Sequence, residues 1–244
     1  MEVKEDVICG RNPVREALRA GRPMRKILMV REGNGVLRDI ASLARAQGVP
    51  VQFADRAALD RLTGGVRHQG VVGLAAPVGY ADLEEILAGK EKPLLVALAG
   101  VQDPRNLGAV IRAAEAAGAD GVIIPARRAA GLTPAVAKAS AGALAYLPIT
   151  RVTNLAQSLS LLREKGLWIV GADPGAEQVY WDADLRGPLV LVIGGEEAGL
   201  GRVVRAACDL LVRVPMFGKI GSLNASVAAA LLIYEVVRQR RENG

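Results

Sequence analysis

The sequence predicts an α/β protein in two parts, a small N-terminal unit and a larger C-terminal domain built on a mostly parallel sheet. Three observations carry this. With 244 residues, 51% of them hydrophobic and 23% charged, the chain holds material for one large core or two modest ones. From Leu94 onward, short apolar runs alternate with segments of helical period, the pattern of buried parallel strands joined by crossover helices. Before Pro77, about seventy residues make a separate α/β alternation, and 77–92 is polar and glycine-bearing like a linker. The expected division is therefore 1–76, a linker at 77–92, and 93–244.

Within the first part, Pro13, Val14, Ala17 and Leu18 fall at helical spacing, with Asn12 as the expected N-cap and Gly21 as the stop. A strand follows at 26–30. Ile40, Leu43 and Ala44 share one face of a helix at 36–47, and Gly48 separates it from a strand at 49–53. A short helix at 59–62 and a strand at 71–75 complete the unit. In the second part, strands are expected at 94–99, 122–124, 167–170, 189–193 and 210–214. Helical patterns occupy 107–117, 134–141, 155–165 and 201–207. A last helix at 225–237 begins apolar on nearly every side, so its own domain or a second copy of the chain should bury it.

Composition excludes several classes of function. No stretch approaches the roughly 20 apolar residues that a membrane span needs. The opening Met-Glu-Val-Lys-Glu-Asp alternates charges where a signal peptide would be basic and then apolar, so a cytoplasmic protein is expected. Cys9 and Cys208 are far apart, without metal-ligand spacing, and His68 is the sole histidine. Neither a metal site nor a Ser-His-Asp triad is expected. The formal charge is +6, and it is unevenly placed: 13 basic and 8 acidic residues precede Pro77, while 18 and 17 follow it. A basic N-terminal part suits a polyanion, because counterion release favours such surfaces on nucleic acid.

Three segments could carry chemistry. Asp103-Pro104-Arg105-Asn106-Leu107-Gly108 follows an apolar run and opens a helix whose buried face is Leu107, Val110, Ile111 and Ala114, leaving Arg112 pointing elsewhere. Alternatively, Asn106 caps that helix and Arg112 pairs with Glu115. Next, the run 189–193 enters the turn Gly194-Gly195-Glu196-Glu197-Ala198-Gly199-Leu200. Its glycines let backbone approach a ligand, while its carboxylates would repel a phosphate, so a cationic or zwitterionic ligand fits better than a nucleotide. Finally, Pro215-Met216-Phe217-Gly218-Lys219-Ile220-Gly221-Ser222-Leu223-Asn224 ends at the last helix, which Ser222 or Asn224 could cap. A strand followed by Gly33-Asn34-Gly35 mimics a dinucleotide fold, but Arg38 stands where the third glycine belongs.

Taken together, these segments resemble the SpoU/TrmH family of RNA ribose 2'-O-methyltransferases, of the SPOUT class. Gly10-Arg11-Asn12-Pro13-Val14 and His68-Gln69-Gly70 resemble that family's N-terminal RNA-binding domain. The resemblance implies a C-terminal domain with a deep trefoil knot and an L30e-like N-terminal domain. It implies S-adenosylmethionine as cofactor, lined by Ala172, Gly194, Gly195, Val214, Met216, Ser222 and Leu223. Arg112 and Asn224 would align the reacting groups, with Asn106 and Glu196 in support. Arg11, Arg15, Arg22 and Arg67 are candidate phosphate contacts. The subgroup most resembled methylates a guanosine of 23S rRNA, as a homodimer. Two positions depart from the pattern, Glu197 in place of a usual glycine and Gly221 where serine or threonine is common. A tRNA-modifying relative and a non-catalytic rRNA assembly factor are the alternatives, although the latter needs no intact Arg112, Glu196 or Asn224.

Overall fold

A computed structural model describes residues 6–31, 35–75, 79–195 and 199–242. In chain order its strands and helices begin with β1 (Asp6–Cys9), α1 (Arg11–Arg19), β2 (Met24–Met29), α2 (Gly35–Ala46), β3 (Val51–Phe53), α3 (Arg56–Thr63) and β4 (Val71–Ala75). There follow α4 (Leu83–Leu87), β5 (Leu94–Ala99), α5 (Pro104–Ala116), β6 (Gly121–Pro125), α6 (Pro134–Ala139), β7 (Ile149–Val152), α7 (Leu155–Glu164) and β8 (Trp168–Ala172). The remainder are β9 (Gln178–Val179), β10 (Leu189–Gly194), α8 (Arg202–Ala206), β11 (Leu210–Arg213) and α9 (Ala225–Arg241).

These elements pack as two units, and the first is discontinuous: residues 1–79 together with 132–146. Its sheet runs β1-β4-β2-β3, with β4 antiparallel to both neighbours and β2 parallel to β3. Ile8, Val14, Leu18, Ile27, Ile40 and Val71 form the core, each worth roughly 1.5–3 kcal/mol when fully buried. Helix α6 belongs here, packed against β1, although its sequence pattern reads equally well as a helix covering the parallel sheet. Periodicity shows which face is apolar and says nothing of what covers it. The α1 N-cap is Gly10 at φ 105, not Asn12, so no side chain caps that helix. Its positive φ is one that glycine alone adopts cheaply. Helix α3 is longer than expected because Asp55 caps it, accepting from Ala58 N.

The second unit is 80–131 with 147–244. Its seven strands run β7-β6-β5-β10-β8-β11-β9, and every pairing is parallel. Central strands β5 and β10 are buried on both faces, as their unbroken apolar sequences require. Segment 80–92, read from the sequence as linker, packs in this unit: Ile86 joins its core and Thr150 Oγ1 donates to Ala81 O. The strand order reverses between β5 and β10, and open α/β sheets bind ligands at the carboxyl ends beside such a reversal. Among the described residues, no helix is long and apolar enough to cross a membrane. Gly33 and Asn34 of the dinucleotide-like turn lie outside the described residues.

Candidate active site

The carboxyl ends of β8, β10 and β11 open into a cavity of about 450 Å³. All seven residues expected at a cofactor line it: Ala172, Gly194, Gly195, Val214, Met216, Ser222 and Leu223. Glycine is required at two of these positions. A Cβ on Gly194 would overlap the Gly199 backbone, and one on Gly195 would overlap the Gly100 carbonyl. Gly195 N donates to Ala99 O at 2.9 Å, and Gly195 pairs with Gly199 across the turn, so strand, turn and neighbouring loop meet backbone to backbone.

The last segment reaches the cavity through Asn224, which caps α9. Its Oδ1 accepts from Ser226 N at 2.9 Å and Ser226 Oγ at 2.6 Å, and its Nδ2 donates to Asn106 Oδ1 at 3.0 Å. One asparagine thereby starts a helix and ties the first motif to the third. Asn106 is not the cap of α5. Asp103 is, accepting from Arg105 N at 2.8 Å, with Pro104 in the first turn, and Asn106 accepts from Asn224.

Arg112 is absent from the cavity wall. It stands on the exposed face of α5, and among the described residues nothing is bonded to it, including Glu115. Glu196 lies outside the described residues. Asp173 also lines the cavity and was missed, since from the sequence it merely follows a strand. Its Oδ2 accepts from Arg205 Nε at 2.7 Å and its Oδ1 from Gly175 N at 2.8 Å. No lysine, arginine or histidine is on the described wall. The chamber is mainly glycine and apolar surface, with Ser222, Asn224 and one satisfied carboxylate as its polar side chains, which suits a compact cation and sets no basic side chain against a phosphate chain. The sulfonium of S-adenosylmethionine meets that requirement.

In the first unit, Arg11 and Arg67 line one pocket, together with Arg56, Asp60, His68 and Gln69. Arg15 and Arg22 do not. Arg15 is engaged with Glu16 and Asn12, and Arg22 borders an apolar cleft with Val7, Ile8 and Leu132. Burial pushes both thiols, Cys9 and Cys208, up to about 11, so little thiolate exists at neutral pH. Among the described residues no group of His, Cys, Asp or Glu could hold a metal ion.

Residues 93–234 match the SpoU rRNA methylase family, and residues 7–81 match the RNA 2'-O ribose methyltransferase substrate-binding family. A Bacillus subtilis chain named as a TrmH family tRNA/rRNA methyltransferase, YacO, is 43% identical over 249 residues, covering 100% of both chains. The SpoU methyltransferase AviRb from Streptomyces viridochromogenes, in complex with AdoMet, superposes with a TM-score of 0.83 at 30% identity, over 98% of this chain and 92% of its own. An AdoMet-bound rRNA methyltransferase from Sinorhizobium meliloti gives a TM-score of 0.82 at 27% identity, over 97% and 88%.

Proposed function

Since this chain belongs to the SpoU rRNA methylase family and is an S-adenosylmethionine-dependent RNA methyltransferase, we propose that it methylates the ribose 2'-hydroxyl of a guanosine in 23S rRNA. The observation that carries this reading is the cavity lined by the second and third segments, with no cation on its described wall, and with Asn224 of the third segment bonded to Asn106 of the first. We read the loops around it as those of the family's trefoil knot.

Bound S-adenosylmethionine supplies a methyl group already activated by its positive sulfur. The chain supplies position. Backbone at Gly194 and Gly195 and the side chains of Met216 and Leu223 hold the donor from several sides, while Ala172, Val214 and Ser222 shape the remaining wall. Asn224, oriented by Ser226 and Asn106, presents a fixed amide at the rim, and Glu196 is assigned a supporting role toward the substrate by the family resemblance alone. Arg112 grips the phosphate next to the acceptor ribose, and its charge lowers the pKa of the attacking hydroxyl. It takes no proton, because a guanidinium presents donors only. Fixing two reactants in line can be worth about 7 to 11 kcal/mol. Arg11 and Arg67 contact RNA phosphates from the first unit, and Arg15 and Arg22 flank them in sequence. We further read the protein as a cytoplasmic homodimer.

A tRNA target is the second reading, favoured by relatives named for tRNA and rRNA together. One experiment tests both: incubation with methyl-labelled S-adenosylmethionine and purified 23S rRNA or tRNA, followed by mapping of the product. Label on a guanosine ribose of 23S rRNA is expected. Base methylation, or label on tRNA alone, would overturn the rRNA reading. In the same preparation the methyl donor should raise Tm, by about 2.7 kcal/mol of added stability at a hundredfold excess over Kd, and NAD should not.

A further inference from the structure

We propose that the first unit holds a pocket for one unpaired guanosine of the RNA, its base paired with Asp60 and its phosphate gripped by Arg56 and Arg67. The proposal rests on the RNA methyltransferase reading and concerns a site separate from the methyl-donor cavity.

The pocket measures about 370 Å³ and is lined by Arg11, Arg56, Asp60, Arg67, His68 and Gln69. That volume suits a small ligand. Its wall is built rather than incidental. Gln69 sits at φ 55, a left-handed conformation that a non-glycine residue adopts only when its surroundings impose it, and glycines at positive φ stand near it at Gly10 and Gly70. Arg11 clamps Gln69 twice, through backbone N to Oε1 at 3.2 Å and through Nε to the carbonyl at 3.1 Å. Gly70 N donates to His68 Nδ1 at 3.0 Å, so the ring proton sits on Nε2, which donates to Asp60 Oδ1 at 3.0 Å. His68 is only 3% exposed, whereas the Asp60 side chain is 59% exposed. A buried imidazole thereby fixes the direction of an accessible carboxylate.

Arg11 spends its Nε on Gln69 and keeps only its terminal nitrogens for RNA, whereas among the described residues Arg56 and Arg67 bond to nothing. Two uncommitted guanidiniums call for an anion. A site for phosphate alone, however, would not carry an oriented carboxylate on its wall, because like charges repel. The ligand must be anionic at one end and rich in donors at the other. Guanosine monophosphate has that form: N1–H and the N2 amino group lie side by side on its Watson–Crick edge and match the two oxygens of one carboxylate. Adenine, cytosine and uracil each put at least one acceptor there, facing the carboxylate. Arginine can bond guanine O6 and N7 as well. Because the Watson–Crick edge is used, the guanosine must be unpaired, as bases read in single-stranded RNA are.

His68 is the sole histidine of the chain, so its ring signals in a histidine-labelled NMR sample report on this pocket alone. The full-length protein would be titrated with 5'-GMP, 5'-IMP, 5'-AMP and inorganic phosphate. Saturable movement of the His68 signals by 5'-GMP is expected, with about tenfold weaker binding of 5'-IMP, which lacks the amino group, and weaker binding still of 5'-AMP. Asp60→Asn should abolish the preference for GMP over AMP. Arg56→Gln, which leaves the His68–Asp60 hydrogen bond untouched, should weaken both nucleotides and keep the preference. Equal responses to GMP and AMP, a full response to phosphate alone, or no response would each overturn the proposal. S-adenosylmethionine binding measured on the same samples separates this failure from failure of the methyltransferase reading, which loss of donor binding would signal.

Discussion

Arg112 is the residue on which the proposed chemistry turns. Its position on the outer face of α5, with nothing described bonded to it, leaves five guanidinium donors for a substrate rather than for the fold. Lysine would keep the charge and lose the planar fork. Arg112→Lys should lower turnover by roughly a hundredfold, the order expected for one displaced electrostatic contact in a transition state, while donor affinity changes less than twofold. A calorimetric titration beside a methyl-transfer assay checks this, and equal loss of both would contradict the assigned role. Asn224, which the structure places on the cavity wall, stood out in the sequence as a polar residue at the start of an apolar helix, and Arg112 stood out on the flank of another, although it lies off that wall. Arg56 and Asp60 did not, since charges four residues apart on a helix read as an ordinary solvated face. Only the fold sets them beside His68.

Helix α9 shows how an element is held and how pH reaches it. Arg238 donates to both oxygens of Glu235, at 2.7 and 2.9 Å, and Gln239 donates to Glu235 Oε1 at 2.8 Å. Gln239 also donates to Ala183 O at 2.9 Å and accepts from Leu185 N at 2.8 Å, tying the helix to the segment before β10. The Arg238 hydrogen bond, outweighing burial, holds the Glu235 carboxyl below its ordinary value of 4.5. A carboxyl depressed in the folded state contributes stability above its unfolded pKa and loses it as pH falls through the folded one. Glu235→Gln should therefore lower Tm by about 2–4 °C at pH 7 and by less in acid, below the ordinary glutamate range. Thermal melts of both proteins across pH 2.5–7 (a range of roughly five units) measure the difference. Helices and buried strands such as α9 and β10 were readable from their apolar spacing. Strands β1, β7 and β9 were not: β7 is the half-polar Ile-Thr-Arg-Val, β9 has two residues, and β1 begins within the charged N-terminal stretch.

At the scale of the whole molecule, α9 buries Ala229, Leu232, Ile233 and Val236 yet leaves Val227, Leu231 and Tyr234 exposed by 46%, 39% and 50%. Those three line a groove of about 630 Å³ with Ala109 and Ala113 of α5, the helix that carries Arg112. Small residues on one side and large apolar ones on the other give a face that a second copy of the chain can fill, and apolar surface of this kind marks association sites. Sedimentation should show a dimer for the native sequence and a monomer for Leu231→Glu, which puts a charge into the apolar part of that face. A Leu231→Glu protein that sediments as a dimer would move the interface elsewhere.

The first unit is assembled from two stretches of chain, with 132–146 completing what 1–79 begins. During synthesis the earlier stretch emerges without its final helix and must wait, its β1 surface uncovered, until the ribosome has released Tyr146. By then β5 and β6 have already left the exit tunnel. Neither half can therefore be cut away cleanly, because no single scission separates them, and an isolated N-terminal fragment would lack part of its own interior.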